Sequence, residues 1–180
     1  MDTERAEIVN RIDEATKRLV ATVEDLSDEQ LRAPSALEGW TRGHVITHVA
    51  RSCDAMCRML VWARTGEGVP GYPSKESREA DIEAGSGRSR EELVADLVES
   101  AAWLAAEVGS MPQEAWDTTI ETPTGATIPA AEIPARRLVE VECHHTDLDT
   151  GYTAADWTAG FAEMPLGEPM RTWRADRRAR

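Results

Sequence analysis

Arg137-Leu138-Val139-Glu140-Val141-Glu142-Cys143-His144-His145-Thr146-Asp147-Leu148 is the stretch on which both fold and chemistry turn. Pro134, Leu138, Val141, His145 and Leu148 recur at steps of three and four, which defines one face of a helix. Arg137, Glu140, His144 and Asp147 recur at the same steps on another face. Taken alone, that polar row reads as a solvated surface carrying a weak Arg–Glu pair. A second stretch changes the balance. In Gly39-Trp40-Thr41-Arg42-Gly43-His44-Val45-Ile46-Thr47-His48-Val49-Ala50, residues Thr41, His44 and His48 make a comparable stripe, and the two stretches hold all four histidines of the chain.

Glu140 and His144 stand one helical turn apart on the same side, because a turn takes about 3.6 residues. With His48 from the other helix they form a three-ligand set of two imidazoles and a carboxylate. That set suits zinc or a similar divalent ion and leaves one coordination position open for chemistry. Asp147 is expected to accept the outward N–H of a ligand imidazole, with His44 and Arg137 as further neighbours of the ligands. His44 and His48 also have, by themselves, the spacing of many helical zinc sites. His145 points roughly 100° away from His144 and is expected to be a partly buried, hydrogen-bonded histidine. Glu142, on the far side from Glu140, is expected to face solvent. Cys53 and Cys57 fall on the apolar side near Met56 and Leu60, and Cys143 points away from the metal face, so all three thiols read as core residues.

The bulk properties narrow the alternatives. The chain has 180 residues, 41% of them hydrophobic, with a formal charge of -13. It is long enough for one domain with a proper core. The acidic balance argues against nucleic acid or an anionic membrane as partner, since both require a concentrated basic face. No apolar run approaches the roughly 18 residues of a membrane span. Met1-Asp2-Thr3-Glu4 opens an acidic N-terminus without the apolar core of a signal peptide, and three cysteines cannot all pair. Reduced thiols in a cytoplasm are the expectation.

Four long helices account for most of the chain. Ile8, Ile12, Ala15, Leu19 and Val23 set one over residues 3–25. Ser27-Asp28-Glu29-Gln30 reads as a short capped turn. A second long helix spans about 41–63 on a seam of Val45, Val49, Met56 and Leu60. Gly66, Gly68, Gly71, Gly85 and Gly87 with Pro70 and Pro73 make the next region mostly loop, with a short helix near 76–84. Ser89 and Glu92 form a capping box for a third helix, carried by Leu93, Leu97, Ala101, Leu104 and Val108. A small hairpin is expected on either side of Pro123-Thr124-Gly125. Pro134 opens the fourth helix, and Gly151 stops it. The result is an all-α four-helix bundle over residues 1–152 with one longer crossover. Residues 153–180 read as an irregular, loosely packed tail ending in Arg171, Arg174, Arg177, Arg178 and Arg180, with docking onto the acidic bundle as the alternative.

On the two motifs Gly39–Ala50 and Arg137–Leu148, followed by Gly151-Tyr152, the chain resembles the mycothiol-dependent maleylpyruvate isomerase family within the DinB-like four-helix metalloproteins. The likeness extends more weakly through residues 78–101 and Asp156-Trp157, covering roughly residues 5 to 158. The resemblance implies metal ligation by His48, Glu140 and His144, with mycothiol as the low-molecular-weight thiol cosubstrate. It implies cis–trans isomerisation of an unsaturated acid by thiolate addition and elimination. A thiol transferase acting on an electrophilic small molecule, or a non-catalytic metal-binding stress or interaction protein, are the alternatives. It further implies a homodimer. Isomerases of this type carry a second domain after the bundle, and only the Arg-rich tail follows here, so that domain is expected to be absent. The tail arginines Arg171 and Arg174 would then stand in for its cationic groups.

Overall fold

In a computed structural model, residues 3–68, 70–123 and 125–179 are described. Thr124 of the expected hairpin turn and Arg180 of the tail lie outside them, as do Met1 and Asp2. The all-α expectation is met. Four long helices, α1 (Thr3–Glu24), α3 (Arg42–Thr65), α5 (Arg90–Ser110) and α6 (Ile133–Asp147), carry the bundle. Three shorter ones, α2 (Asp28–Arg32), α4 (Lys75–Ser86) and α7 (Met170–Arg178), fill in around it. A two-stranded antiparallel sheet, β1 (Thr119–Glu121) and β2 (Thr127–Pro129), pairs Ile120 with Ile128 in the α5–α6 crossover.

The helix starts follow from capping chemistry. Ser27, Thr41 and Ser89 each close a capping box with the residue three positions on: Gln30, His44 and Glu92. Each box satisfies two backbone N–H groups that would otherwise lack partners. At the far end of α3, Gly66 takes a left-handed conformation (φ 75°) and returns its N–H to the Trp62 carbonyl.

Around the bundle the packing order is α1, α5, α3, α6, which sets α3 against α6. α3 is buried on nearly every side, so it reads as hydrophobic on one stripe and small or polar on the rest. Two glycines bring α4 onto its N-terminal half. A Cβ on Gly43 would strike the Ser86 carbonyl, and one on Gly85 would strike the Thr47 side chain. That contact lays α4 across the end of α3 that carries His48.

The apolar interior has two parts. One joins Leu19 and Val23 of α1, Val45 and Val49 of α3, Leu93 and Leu97 of α5, and Leu138 and Val141 of α6. The other joins Cys53, Cys57 and Leu60 with Leu104, Ile120, Ile128 and Ile133. The first also takes in Trp157, Phe161, Met164 and Met170. The segment after residue 152 is therefore neither irregular throughout nor loose, and the docking alternative describes it. Residues 170–178 form α7, and four apolar side chains from the segment complete the main core. Arg-rich composition hid this, because Trp157, Phe161, Met164 and Met170 anchor a segment whose helix is otherwise mostly charged.

Candidate metal centre

α3 and α6 carry the donors. Thr41 caps α3 and fixes its first turn, which sets His48 two turns in, buried at 7% exposure. Pro134 lies in the first turn of α6, and Glu140 and His144 follow with one turn between them. The two helices bring the His48 and His144 rings edge to face, with centroids 4.7 Å apart. Glu140 lies between them: its Oε2 is 3.2 Å from His48 Nε2 and 3.3 Å from His144 Nε2. One donor atom from each residue falls within 4.8 Å of the others. Despite these short distances Glu140 Oε2 is buried and has no hydrogen-bond partner. An oxygen and two ring nitrogens therefore converge at ion-pair distance without a well-aligned hydrogen bond to the oxygen. Buried polar atoms are almost always satisfied, and this donor set of one carboxylate and two imidazoles is what a divalent cation takes. The three side chains fit a metal.

The electrostatics agree with a site built for charge. Burial opposes the Glu140 carboxylate, but the two imidazoles outweigh it and hold its pKa well below the ordinary value. Burial lowers the pKa of His48. Burial also opposes a charged His144, but Asp147 and Glu140 overcome it and raise that pKa to about 9. A cation entering the site must displace that proton.

Behind His144 the support is rigid. Its Nδ1 donates to Asp147 Oδ2 at 2.9 Å, which leaves Nε2 to face Glu140. Asp147 is fully buried and is gripped by Arg177 of α7 through Nη2 at 2.8 Å and Nε at 3.1 Å. Behind His48 the neighbour is different: Arg78 of α4 donates Nη2 to Nδ1 at 3.1 Å. Trp40 lies edge-on to the same ring at 5.5 Å.

The remaining sequence candidates fall elsewhere. His44 spends Nδ1 on the Thr41 cap and sets Nε2 3.1 Å from Glu83, so it is a helix-capping residue outside the donor cluster. Arg137 is fully buried and donates to the Val49 carbonyl at 2.7 Å, and no ion pair joins it to Glu140 or His144 among the described residues. His145 meets Thr22 Oγ1 at 2.8 Å through Nε2 and stacks on Tyr152, in keeping with a buried, hydrogen-bonded role. Glu142 is not solvent-facing. It is fully buried and accepts from the Tyr152 hydroxyl at 2.6 Å, the Thr158 hydroxyl at 2.7 Å and the Thr158 N–H at 2.9 Å. Cys53, Cys57 and Cys143 are all buried, and Cys53 donates to the Ser100 carbonyl. Arg171 pairs with Glu168, and Arg174 donates to the Phe161 and Met164 carbonyls, so neither reaches the cluster. Arg177, Arg78 and Tyr72 were not singled out by sequence. The one available signal was Arg78, a lone arginine in an acidic helix whose other charged residues are Lys75, Glu76, Glu79, Asp81 and Glu83.

A family model described as the mycothiol maleylpyruvate isomerase N-terminal domain matches residues 12–149. The chain belongs to this family. Two solved structures are similar to it over 88% of its length at a TM-score of 0.83. One is a mycothiol-dependent maleylpyruvate isomerase at 31% identity, and the other a histidine-to-alanine mutant of such an isomerase at 30%. The alignment spans 66% of each of those chains, just under two thirds of their length. No curated protein matches. The matched region holds α3 and α6, and so every donor of the cluster, whereas α7 with Arg177 lies beyond it.

Proposed function

We propose that the chain is a mycothiol-dependent metalloenzyme that isomerises a cis-unsaturated acid, with His48, Glu140 and His144 as the metal ligands. The observation carrying this reading is the buried Glu140 oxygen, unsatisfied between two imidazole nitrogens. Two neutral imidazoles and one carboxylate leave a divalent ion with a net positive charge and an open position. The ion, once bound, lowers the pKa of a coordinated thiol so that it stays a thiolate at neutral pH.

The chain's own groups define the rest. Asp147 and Arg177 hold His144 with its Nε2 directed inward. No cysteine belongs to the donor cluster among the described residues, which leaves the cosubstrate as the source of sulfur. In the reaction the thiolate forms a C–S bond to one alkene carbon while the π pair moves into the conjugated carbonyl. The former double bond, now single, rotates. The pair then returns, the C–S bond breaks, and the thiolate leaves behind the trans isomer.

The test is elemental analysis of the purified protein beside His48→Ala, followed by turnover of maleylpyruvate with and without mycothiol. One equivalent of zinc or a similar metal, lost in the variant, together with thiol-dependent conversion to the trans acid is expected. A stable thioether product would identify a thiol transferase. Stoichiometric metal without turnover of any electrophile would leave a binding module.

A further inference from the structure

Beside the donor cluster lie a cation without a carboxylate partner and a buried phenol without a hydrogen bond, among the described residues. Arg78 lies on α4, which the Gly43 and Gly85 contacts press against α3. Its guanidinium donates to His48 Nδ1 and lies 5.9 Å over the Tyr72 ring. Among the described residues no ion pair joins it to a carboxylate, in a chain of net charge -13. Two of the four acidic residues on α4 are engaged elsewhere: Glu83 meets His44, and Glu79 meets Lys75. The Tyr72 hydroxyl is buried with no hydrogen-bond partner. Tyr72 is held in place because Arg58 of α3 donates to the Gly71 carbonyl at 2.9 Å, and Gly71 packs directly on Ala55.

The bond from Arg78 to His48 conflicts with a ligand role for that ring. A neutral imidazole has one N–H and one lone pair. With Nε2 engaged as a ligand atom, Nδ1 carries the ring proton, and Arg78, which can only donate, has no acceptor left there. Metal ligation by His48 therefore releases Arg78 at the edge of the site, next to an unsatisfied phenol. A guanidinium fork beside a hydroxyl donor is a recognition unit for one carboxylate.

We infer that Arg78, with Tyr72, is the anchor for a carboxylate of the unsaturated acid, exchanging His48 for that group once the metal site is filled. This rests on the metal reading of the cluster and names how its acidic substrate is held. One orientation follows: the carboxylate end faces α4, and the alkene is directed toward the donor cluster.

The test separates metal from anion. Zinc content and zinc affinity, the latter by competition with a chromophoric chelator, are measured for wild type, Arg78→Met, Arg78→Lys and Tyr72→Phe. The zinc-loaded proteins are then titrated calorimetrically with maleate. Arg78→Met is expected to weaken maleate binding by roughly tenfold or more, while zinc affinity stays level or rises, since a competing donor and a like charge are gone. Tyr72→Phe should weaken maleate by a few-fold, and Arg78→Lys should keep part of the affinity, having the charge without the fork. Maleate affinity of Arg78→Met within twofold of wild type, or zinc lost along with it, overturns the proposal. So does a zinc-loaded wild type that does not bind maleate. A wild type that takes up no zinc overturns the metal reading itself and is recognised before any maleate is added.

Discussion

Two faces of one helix, α6, show how different a buried carboxylate is when it completes a structure and when it waits for a ligand. On one face Glu142 is fully buried and accepts three hydrogen bonds, from Tyr152 and twice from Thr158. Two residues earlier and on the opposite face, Glu140 has a buried oxygen that accepts none. The adjacent histidines differ in charge rather than in satisfaction, since His145 Nδ1 also lacks a hydrogen-bond partner. Burial dominates at His145 and drives its pKa down to about 3, so the ring is neutral. At His144 burial acts in the same direction, but Asp147 and Glu140 reverse the outcome to about 9. Burial alone does not mark a site. The mark is a buried carboxylate held between two imidazoles at ion-pair distance from both.

The sharpest way to break this contrast is to remove the two carboxylates in turn. Apparent zinc affinities of about 10–16 kcal/mol spread over three or four ligands give about 4 kcal/mol per ligand, so Glu140→Ala should cost about a thousandfold in zinc affinity. The melting temperature of the metal-free variant should change little, because loss of the ion pairs to His48 and His144 is offset by removal of a buried carboxylate. Glu142→Ala should do the reverse. It strands both Thr158 donors and leaves the Tyr152 hydroxyl only the Asp156 carbonyl, which should destabilise the fold by about 3 kcal/mol in denaturant titration with zinc stoichiometry unchanged. If both variants lost metal and stability together, the two faces would not be functionally distinct.

The four long helices, the caps at Ser27 and Ser89 and the convergence of His48, Glu140 and His144 were legible in the sequence, because each rests on local spacing. Capping boxes span three residues, and a ligand pair one turn apart needs only the helical period. The burial of Glu142 was not legible. The side of a helix away from its site is normally solvent, and what covers it here is the Tyr152–Thr158 segment, whose path has no periodic signal. The same limit hid Arg177. It is one of several arginines in a charged stretch, and only the docking of Met170 into the core aims it at Asp147 rather than at water. His44 was misread for the opposite reason: it has ligand spacing, but the helix start uses it first.

Arg177 extends the contrast to the tail. On the metal face, support for His144 runs through Asp147 to α7, which lies outside the family match. Arg177→Ala should lower zinc affinity by roughly tenfold, at the lower end of what mutations behind a ligand cost. Arg177→Lys should recover part of it, and the visible absorption of the cobalt-substituted protein should shift in the alanine variant alone. Arg171→Ala, whose partner is the exposed Glu168, should change neither. Equal losses in the Arg171 and Arg177 variants would reduce α7 to a packing element.

The smallest expected effect belongs to His145 and appears only as pH falls. Its folded pKa of about 3 lies below the unfolded value of about 6.5, so the unfolded chain takes up the proton first. Its contribution to stability is therefore complete above about pH 6.5 and is lost progressively from there toward pH 3, with a slope that cannot exceed about 1.4 kcal/mol per pH unit. Carboxylates such as Glu140 titrate in the lower part of the same range, so the decisive quantity is a difference. Metal-free wild type and His145→Asn are compared by denaturant titration at pH 6.5 and pH 5. Asparagine retains a partner for Thr22 but cannot take up the proton, so the variant's stability should fall less over that interval. Parallel slopes would mean that His145 is already satisfied in its charged form, and that the two faces of α6 differ less than their hydrogen bonds indicate.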